Sequence, residues 1–263
     1  MKTLLLLTGT LACCVGSVSA VTTALSPSTL TQGGAAPGPT IDAAGVITLT
    51  TASNGQNNQI AYAVTDPGIQ TSSNFSFLFN ISNVNNPGGT ADGFSFSYGN
   101  SAVFGTSGAV PTFVGEEPSV PGLLGFAFDT WNNPEDPGPE GSNLSQIALH
   151  YNGLIITAMD DTRLAQPTGL GFPIDDGISR LVEGTVNFAA GTVSLTVDGL
   201  PVFTNQVVPG LVPMESRIIF AARTGGENEL AVIDALNVTF IPEPASGLLS
   251  LFGVLALMRR RRS

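Results

Sequence analysis

The chain has 263 residues, a mass of 27.0 kDa, a formal net charge of −11 and a sequence pI of about 4.2. An acidic surface of this kind repels nucleic acid and anionic lipid, so neither is an expected partner. Both cysteines, Cys13 and Cys14, lie in an N-terminal segment that we expect to be removed, which excludes thiol catalysis and cysteine-ligated zinc in the mature protein.

The first 20 residues have the pattern of a secretory signal peptide. Lys2 precedes an apolar stretch that continues to Val18, and the sequence VSA at 18–20 ends in a small residue. A basic start, an apolar run and an alanine-type cleavage site predict export with cleavage after Ala20. Acylation at Cys13 is the alternative, although residues 10–12 before it match that signal poorly.

The rest of the chain is organised as short strands. Residues 25–40 are rich in Pro, Gly, Ser and Thr, and we interpret them as an irregular lead-in or a loose N-terminus. Residues 74–81 then alternate apolar and mostly polar side chains, the period-2 pattern of a strand with one buried face. The predicted strands are 74–81, 93–98, 124–128, 147–151, 154–159, 181–188, 192–197, 200–203, 217–222 and 233–241.

Two dipeptides, Asn152-Gly153 and Asp198-Gly199, predict tight hairpins between neighbouring strands. Many strands without intervening helices indicate an all-β sandwich or jelly roll. The predicted domain covers residues 21–241, which is long enough for one large β-domain with a sizeable core.

Residues 124–137 (LGFAFDTWNNPEDP) predict a strand followed by a polar loop. Calcium takes six to eight oxygen ligands, and this loop offers the carboxylates of Asp129 and Asp136, the amide of Asn133 and the carbonyl of Trp131. A polar connection capped by Asp and Asn is the alternative. Two further segments stand out: Ala91-Asp92-Gly93 before a strand, and Thr224-Gly225-Gly226 after one.

These segments, in this order, resemble the L-type lectins, the concanavalin A-like sandwich family that includes the legume lectins. The resemblance implies a concanavalin A-like jelly-roll β-sandwich, a cis Ala91–Asp92 peptide and calcium-dependent sugar binding. The metal ligands that it implies are Asp129, Trp131 (through its carbonyl), Asn133 and Asp136. The sugar contacts that it implies are Asp92, Gly93, Asn133, Gly225 and Gly226. Gly105 and Gly108 are candidates for a further contact loop.

Two positions depart from the family pattern. Ala127 stands where the family has a transition-metal glutamate, and Gln146 stands where it has a metal-binding histidine. We therefore expect one Ca²⁺ site and no Mn²⁺ site. His150, the only histidine, lies four residues beyond the ligand position; we expect an ordinary strand or surface histidine, with a ligand role as the alternative.

The C-terminal 22 residues read PEPASGLLSLFGVLALMRRRRS. Their apolar run, 245–258, is shorter than the roughly 20 residues of a membrane span, and the arginines at 259–262 would stay on the cytoplasmic side. The order of triplet, apolar run and arginines resembles the PEP-CTERM sorting signal of Gram-negative bacteria. It implies transient anchoring in the inner membrane through 245–258, recognition by an exosortase-type enzyme, and a final place at the outer surface, in the periplasm or outside the cell. An ordinary C-terminal anchor is the alternative.

Between the two signals, residues 21–241 hold four arginines and 19 carboxylates, a net charge of −15. The expected function is calcium-dependent binding of glycans or extracellular polysaccharide, without catalysis. A structural surface protein that has lost sugar binding is the first alternative. A glycoside hydrolase of the same fold is the second, but the positions that match the hydrolase carboxylates are Ala127, Asp129 and Asn132, so two of the three lack an acid.

Overall fold

The computed structural model describes residues 21–22, 25, 27–82, 90–131, 145–160 and 171–242. The predicted signal peptide, the C-terminal sorting segment beyond Pro242 and two predicted site residues, Asn133 and Asp136, lie outside these residues. Their roles therefore remain predictions.

The described residues form strands joined by turns and loops, with one helical turn. In chain order the elements are β1 (Val21–Thr22), β2 (Pro27–Gly34), β3 (Thr40–Ile41), β4 (Ile47–Thr50), β5 (Gln56–Tyr62), β6 (Gln70–Ser82), β7 (Gly93–Asn100), α1 (Ser101–Phe104), β8 (Leu123–Asp129), β9 (Gln146–Tyr151), β10 (Leu154–Asp160), β11 (Arg180–Asn187), β12 (Thr192–Val197), β13 (Leu200–Val207), β14 (Ser216–Arg223) and β15 (Leu230–Pro242). Within these ranges no helix is long and apolar enough to cross a membrane.

The strands form two antiparallel sheets that pack face to face. The eight-stranded sheet has the order β13-β12-β11-β6-β15-β4-β3, with β1 paired to β15, and the seven-stranded sheet has the order β10-β9-β8-β7-β14-β5-β2. Sequential strands are often not neighbours, so the chain passes repeatedly between the two layers. The predicted all-β sandwich is confirmed.

Aromatic side chains fill the space between the sheets. Phe77 and Phe79 of β6 are fully buried against Phe94 of β7 and Phe128 of β8, and the rings of Phe94 and Phe128 stack with centroids 4.5 Å apart. Each fully buried side chain of this size stabilises the fold by roughly 1.5–3 kcal/mol. The alternation in β6 that predicted a strand is thus the pattern that fills the core.

All ten predicted strands are present, most of them extended by one or more residues. Both predicted hairpin turns have the backbone conformation that they require: φ is 51° at Asn152 and 84° at Gly153, and 49° at Asp198 and 76° at Gly199. Positive φ at both central residues matches the right-handed twist of the flanking strands.

The interpretation of residues 25–40 as an irregular or loose segment is wrong. Residues 27–34 form strand β2, which pairs with β5 at the edge of the seven-stranded sheet. Leu30 is exposed there, so this edge strand is held by backbone pairing and lacks the buried apolar face on which a sequence pattern depends. Strands β4 and β5 were also not predicted from the sequence.

A long connection, residues 105–122, covers the outer face of the seven-stranded sheet. Val110 and Phe113 pack there against Ala61, Ile219 and Ala221, forming a second, smaller apolar cluster. The seven-stranded sheet is therefore buried on both faces over part of its area. This connection also carries Glu116 to the end of the sheet where the predicted site lies.

Candidate functional site

Several predicted site residues meet at one end of the seven-stranded sheet. Gly93, at the start of β7, pairs with Asp129 at the end of β8 and with Arg223 at the end of β14. Asp92 directly precedes this row: its amide donates to the carbonyl of Arg223 (3.1 Å), and its carbonyl accepts from the amide of Thr130 (3.0 Å). The Ala91–Asp92 peptide bond is cis, as the resemblance implies.

Two glycines allow the close approach of backbone at this point. A Cβ atom on Gly93 would lie 2.2 Å from the carbonyl oxygen of Phe128, and its φ is 129°. A Cβ atom on Gly225 would lie 2.9 Å from Oδ2 and 3.1 Å from Oδ1 of Asp92. A side chain at position 93 would clash with the backbone of the neighbouring strand β8, and a side chain at position 225 would crowd the Asp92 carboxylate. Glycine is therefore required at position 93 and favoured at position 225. Gly226, by contrast, has open space around its Cα.

Hydrogen bonds tie the glycine loop to the loop before β5. The amide of Thr224 donates to the carbonyl of Gln56 (3.0 Å), and its hydroxyl donates to the carbonyl of Ser53 (2.7 Å). The side-chain amide of Asn54 donates to the carbonyl of Gly226, and the amide of Gly55 donates to the carbonyl of Gly225. These hydrogen bonds to residues 53–56 thus fix the position of the loop beside Asp92.

Arg223 joins two carboxylates at the site. Its Nε lies 3.0 Å from Oδ2 of Asp92, and its Nη2 lies 2.5 Å from Oε1 of Glu116. Burial raises the pKa of Asp92, and the charge and hydrogen-bonding contact of Arg223 oppose that shift. Burial likewise raises the pKa of Glu116 to about 7 against the opposing charge of Arg223.

A third carboxylate, Glu229, lies behind this pair. It is fully buried and accepts a hydrogen bond from the hydroxyl of Thr130 at 2.7 Å. Burial raises its pKa well above the ordinary value, the Thr130 bond opposes the shift, and the charges of Asp92, Asp175 and Glu116 add to it. The bond to Thr130 connects the loop after β14 to the residue that follows Asp129.

Asp129 is buried at the start of the predicted calcium loop. Its Oδ1 accepts from the amide of Trp131 (2.9 Å), and its Oδ2 accepts from Nε2 of Gln146 (3.3 Å). Ala127, on the same face of β8, pairs with Ser95 and Ala148. The two positions that depart from the family's transition-metal site are thus filled by a methyl group and by an amide that donates to Asp129.

Two of the four predicted metal ligands lie among the residues that the structure describes. Asp129 and Trp131 adjoin the sugar-site candidates, whereas Asn133 and Asp136 lie outside the described residues. Within the described part of the chain, no three His, Cys, Asp or Glu side chains are arranged to hold a metal ion.

The interpretation of Gly105 and Gly108 as sugar contacts is wrong. Arg217 donates to the carbonyl of Gly108 at 2.7 Å, and Arg217 pairs with Gly99 near the far end of β7. Asp92 lies at the opposite end of that strand. Within the connection 105–122, the residues that reach the site are Gly115, which packs on the backbone of Ala222, and Glu116.

His150 lies in strand β9, but it is fully buried rather than at the surface. Its Nδ1 is 3.0 Å from the hydroxyl of Ser119, and burial lowers its pKa to about 4. The connection 105–122 covers it, so it is a neutral, structural histidine.

Glu116, Arg223 and Glu229 belong to the site, and the sequence reading did not identify them. Arg223 and Glu229 flank the Thr224-Gly225-Gly226 segment but were not part of its pattern, and Glu116 comes from the connection 105–122. The excess of acidic residues in the chain was visible in the composition, but the placement of these residues around one guanidinium depends on the fold.

No protein-family model and no curated protein matches this sequence. Among solved structures, the chain is similar to a lectin from Bauhinia forficata in complex with GalNAc, with 16% identity, a TM-score of 0.60 and coverage of 86% of this chain and 100% of that one. It is similar to peanut lectin with a 9mer peptide, with 18% identity, a TM-score of 0.57 and coverage of 80% and 90%. It is also similar to the exoplasmic/lumenal domain of VIP36 in a Ca²⁺/Man-bound form, with 11% identity, a TM-score of 0.52 and coverage of 80% and 82%.

The fold is the lectin-like jelly roll. Identities this low show the fold and leave the function to the residues of the site. The concanavalin A-like architecture predicted from the sequence is therefore confirmed across most of the chain.

Proposed function

We propose that the protein is a calcium-dependent carbohydrate-binding protein whose site lies at the Asp92 end of the seven-stranded sheet. The observation that carries this proposal is the position of Gly225 against the Asp92 carboxylate, one residue from the Gly93–Asp129 pair. An ionised carboxylate accepts hydrogen bonds from two hydroxyl groups at once, and such charge-assisted bonds are the stronger ones. Asp92, the open backbone at Gly226 and the half-exposed Trp131 would form a shallow sugar-binding surface.

The residues of this end of the sheet suit calcium. Among the described residues, Asp92, Glu116 and Asp129 bring more carboxyl groups to this end of the sheet than guanidinium groups, of which Arg223 is one, and carboxylates crowded together favour a cation between or beside them. Asp129, the Trp131 carbonyl, Asn133 and Asp136 would hold the ion, and the ion would order the loop that presents Asn133 to the sugar. Ala127 and the amide of Gln146 support a single Ca²⁺ site without Mn²⁺.

The N-terminal and C-terminal sequences support an exported protein that meets its ligands outside the inner membrane. The signal peptide 1–20, the domain 21–241 and the sorting signal 242–263 remain the proposed organisation. Glycans or exopolysaccharide are the proposed partners, together with an exosortase-type enzyme that acts on the tail.

Calorimetry and a glycan array test the proposal. We expect the purified protein to bind Ca²⁺, to bind at least one sugar of the array only in its presence, and to bind that sugar at least about tenfold more weakly, or by ~1.4 kcal/mol, in Asp92→Asn. The control is Asp42→Asn, which changes an exposed turn carboxylate that accepts from the amides of Ala44 and Val46. Unchanged binding of the calcium-dependent sugar in Asp92→Asn, or no calcium binding by the wild type, would overturn the proposal.

The structural-protein alternative rests on Arg223, which already occupies one oxygen of Asp92. It predicts no glycan binding on the array and the same thermal stability with and without calcium. Hydrolysis of a β-glucan by the purified protein would contradict both proposals.

A further inference from the structure

The eight-stranded sheet carries a hollow of about 430 Å³ on the face that points away from the core. We call it the polar groove. It crosses β15, β6, β11 and β12, on the sheet that does not carry Asp92. Strand register arranges its side chains in two parallel rows, which are Asn74, Thr185 and Ser194 in the first and Ser76, Glu183 and Thr196 in the second.

Two irregularities of strand pairing flank the groove. On one side β15 shifts register between Asp234 and Asn237, with Ala235 at φ 52°. On the other side the pairing of β12 with β13 shifts next to Leu195, and Asn205 has φ 47°. Register breaks of this kind bend a strand and increase its twist, and they are frequent beside binding sites. Residues other than glycine rarely adopt such φ values, so the irregularity at Ala235 in particular is held at a cost in backbone strain.

Gly184 lies beneath the groove, and the side chain that it lacks would point into the core beside its pairing partner Phe75. A Cβ atom on Gly184 would lie 2.2 Å from the ring of Phe75, so the core packing of Phe75 requires glycine there. Phe75 and Leu195 are buried and direct their side chains into the core. The outward surface is therefore made of hydroxyl and amide groups above a backbone floor.

The chemistry of the lining favours a neutral ligand with many hydroxyl groups. Its side chains offer both donors and acceptors, as the bond from the Thr185 hydroxyl to Oδ1 of Asn74 (2.8 Å) shows. Among the described residues, Glu183 is the one carboxylate of the lining, and no cationic side chain contributes to it. Together with the excess of negative charge over the whole domain, this disfavours an anionic polymer. The rows repeat at the strand spacing of roughly 4.8 Å, which suits a ligand that is itself a chain of repeating units.

We propose that the polar groove binds an extended, neutral oligosaccharide. It is a second glycan site, on the opposite sheet from Asp92 and independent of it. A chain of sugar rings lies across the strands, with its hydroxyl groups paired to the two rows.

Titration calorimetry of the purified protein tests the groove with three neutral hexasaccharides, cellohexaose, laminarihexaose and mannohexaose, and with a uronate hexamer as the anionic probe. Ser76→Arg places a long side chain in the groove beside Glu183. Val207→Arg makes the same charge change at an exposed position on β13 outside the groove. Thr185→Val removes one hydroxyl group from the groove with little change in side-chain shape. If Ser76→Arg fails to fold, binding by Thr185→Val still tests the groove.

We expect at least one neutral hexasaccharide to bind the wild type and Val207→Arg equally, about tenfold more weakly to Ser76→Arg, and more weakly to Thr185→Val. Binding of this ligand is expected to survive Asp92→Asn. The groove proposal is wrong if Ser76→Arg and Thr185→Val bind like Val207→Arg, if only the uronate binds, or if no neutral hexasaccharide binds. If Asp92→Asn abolishes all oligosaccharide binding and the two groove variants do not weaken it, the groove proposal is wrong and the proposed sugar site at Asp92 is supported.

Discussion

At the scale of single residues, the candidate site is a group of buried acids around one guanidinium. Arg223 contacts both Asp92 and Glu116, and Glu229 lies behind them with its hydrogen bond to Thr130. Burial raises the pKa of each of the three carboxyl groups. Arg223 opposes the shift at Asp92, because a nearby positive charge favours the ionised carboxylate that accepts hydrogen bonds.

The two glycines after Thr224 provide a matched test of the sugar site. Gly225→Ala would place a methyl group within about 3 Å of the Asp92 carboxylate, whereas Gly226→Ala meets nothing within 4 Å. Neither glycine has a positive φ, so alanine strains the backbone at neither. We expect Gly225→Ala to weaken sugar binding by about tenfold and Gly226→Ala to weaken it less, because the methyl group at 226 does not touch the Asp92 carboxylate; calorimetry measures both. Equal effects in the two variants would contradict the assigned role of Gly225.

Trp131 is the single tryptophan of the chain, and it lies directly after Thr130 with 41% of its surface exposed. Its fluorescence therefore reports on the predicted calcium loop without interference from another indole. We expect addition of Ca²⁺ to shift or intensify the emission, because ordering of the loop changes the solvent around the ring. Asp129→Asn should abolish the change, with Asp42→Asn as the control. A calcium response that persists in Asp129→Asn would place the ion elsewhere.

At the scale of elements, the connection 105–122 carries Glu116 to the site by packing across the outer face of the seven-stranded sheet. The hydroxyl of Ser95 in β7 donates to the carbonyl of Gly115 at 2.6 Å. Gly115 itself lies so close to Ala222 that a Cβ atom would be 2.4 Å from its backbone carbon. One side-chain hydrogen bond and one glycine contact thus position the segment that completes the acid cluster.

Two serines on the same face of β7 allow the contribution of the hydrogen bond from Ser95 to Gly115 to be measured separately. Ser95 and Ser97 are both fully buried, but Ser97 Oγ has no hydrogen-bond partner among the described residues. We expect Ser95→Ala to lower the free energy of unfolding by about 1 kcal/mol and to weaken sugar binding. Ser97→Ala should be nearly neutral. Chemical denaturation of the two variants measures the difference, and equal destabilisation would remove the anchoring role of Ser95.

The sequence predicted the strands that have a buried apolar face, because alternation such as that of residues 74–81 reflects the core directly. It did not predict edge strand β2, which is held by backbone pairing alone, or strands β4 and β5. At the site, Asp92, Asp129 and Gly225 were found through short segments that resemble a family pattern. Glu116, Arg223 and Glu229 were not, because their role depends on contacts between segments far apart in the chain.

At the scale of the whole molecule, excess negative charge and buried acids make stability depend on pH. Burial raises the pKa of Glu229 well above its ordinary value, and the charges of Asp92, Asp175 and Glu116 add to the shift. In the unfolded chain this carboxyl group ionises near its ordinary pKa, whereas in the folded protein it keeps its proton. The folded state therefore binds more protons, and stability falls as pH rises through the interval between the two pKa values.

We expect the free energy of unfolding to decrease as pH rises above the ordinary histidine value of about 6.5, by roughly 1.4 kcal/mol per pH unit for each carboxyl group that stays protonated only in the folded state. Below this range His150 acts in the opposite direction: its pKa is lowered to about 4, so the unfolded chain binds the extra proton and stability rises with pH up to the ordinary histidine value. Chemical denaturation in calcium-free buffer measures the profile. Glu229→Gln should reduce the slope, whereas Glu183→Gln, an exposed glutamate on β11, should preserve it. A profile that is flat or rises in the wild type would show that Glu229 is ionised in the folded protein.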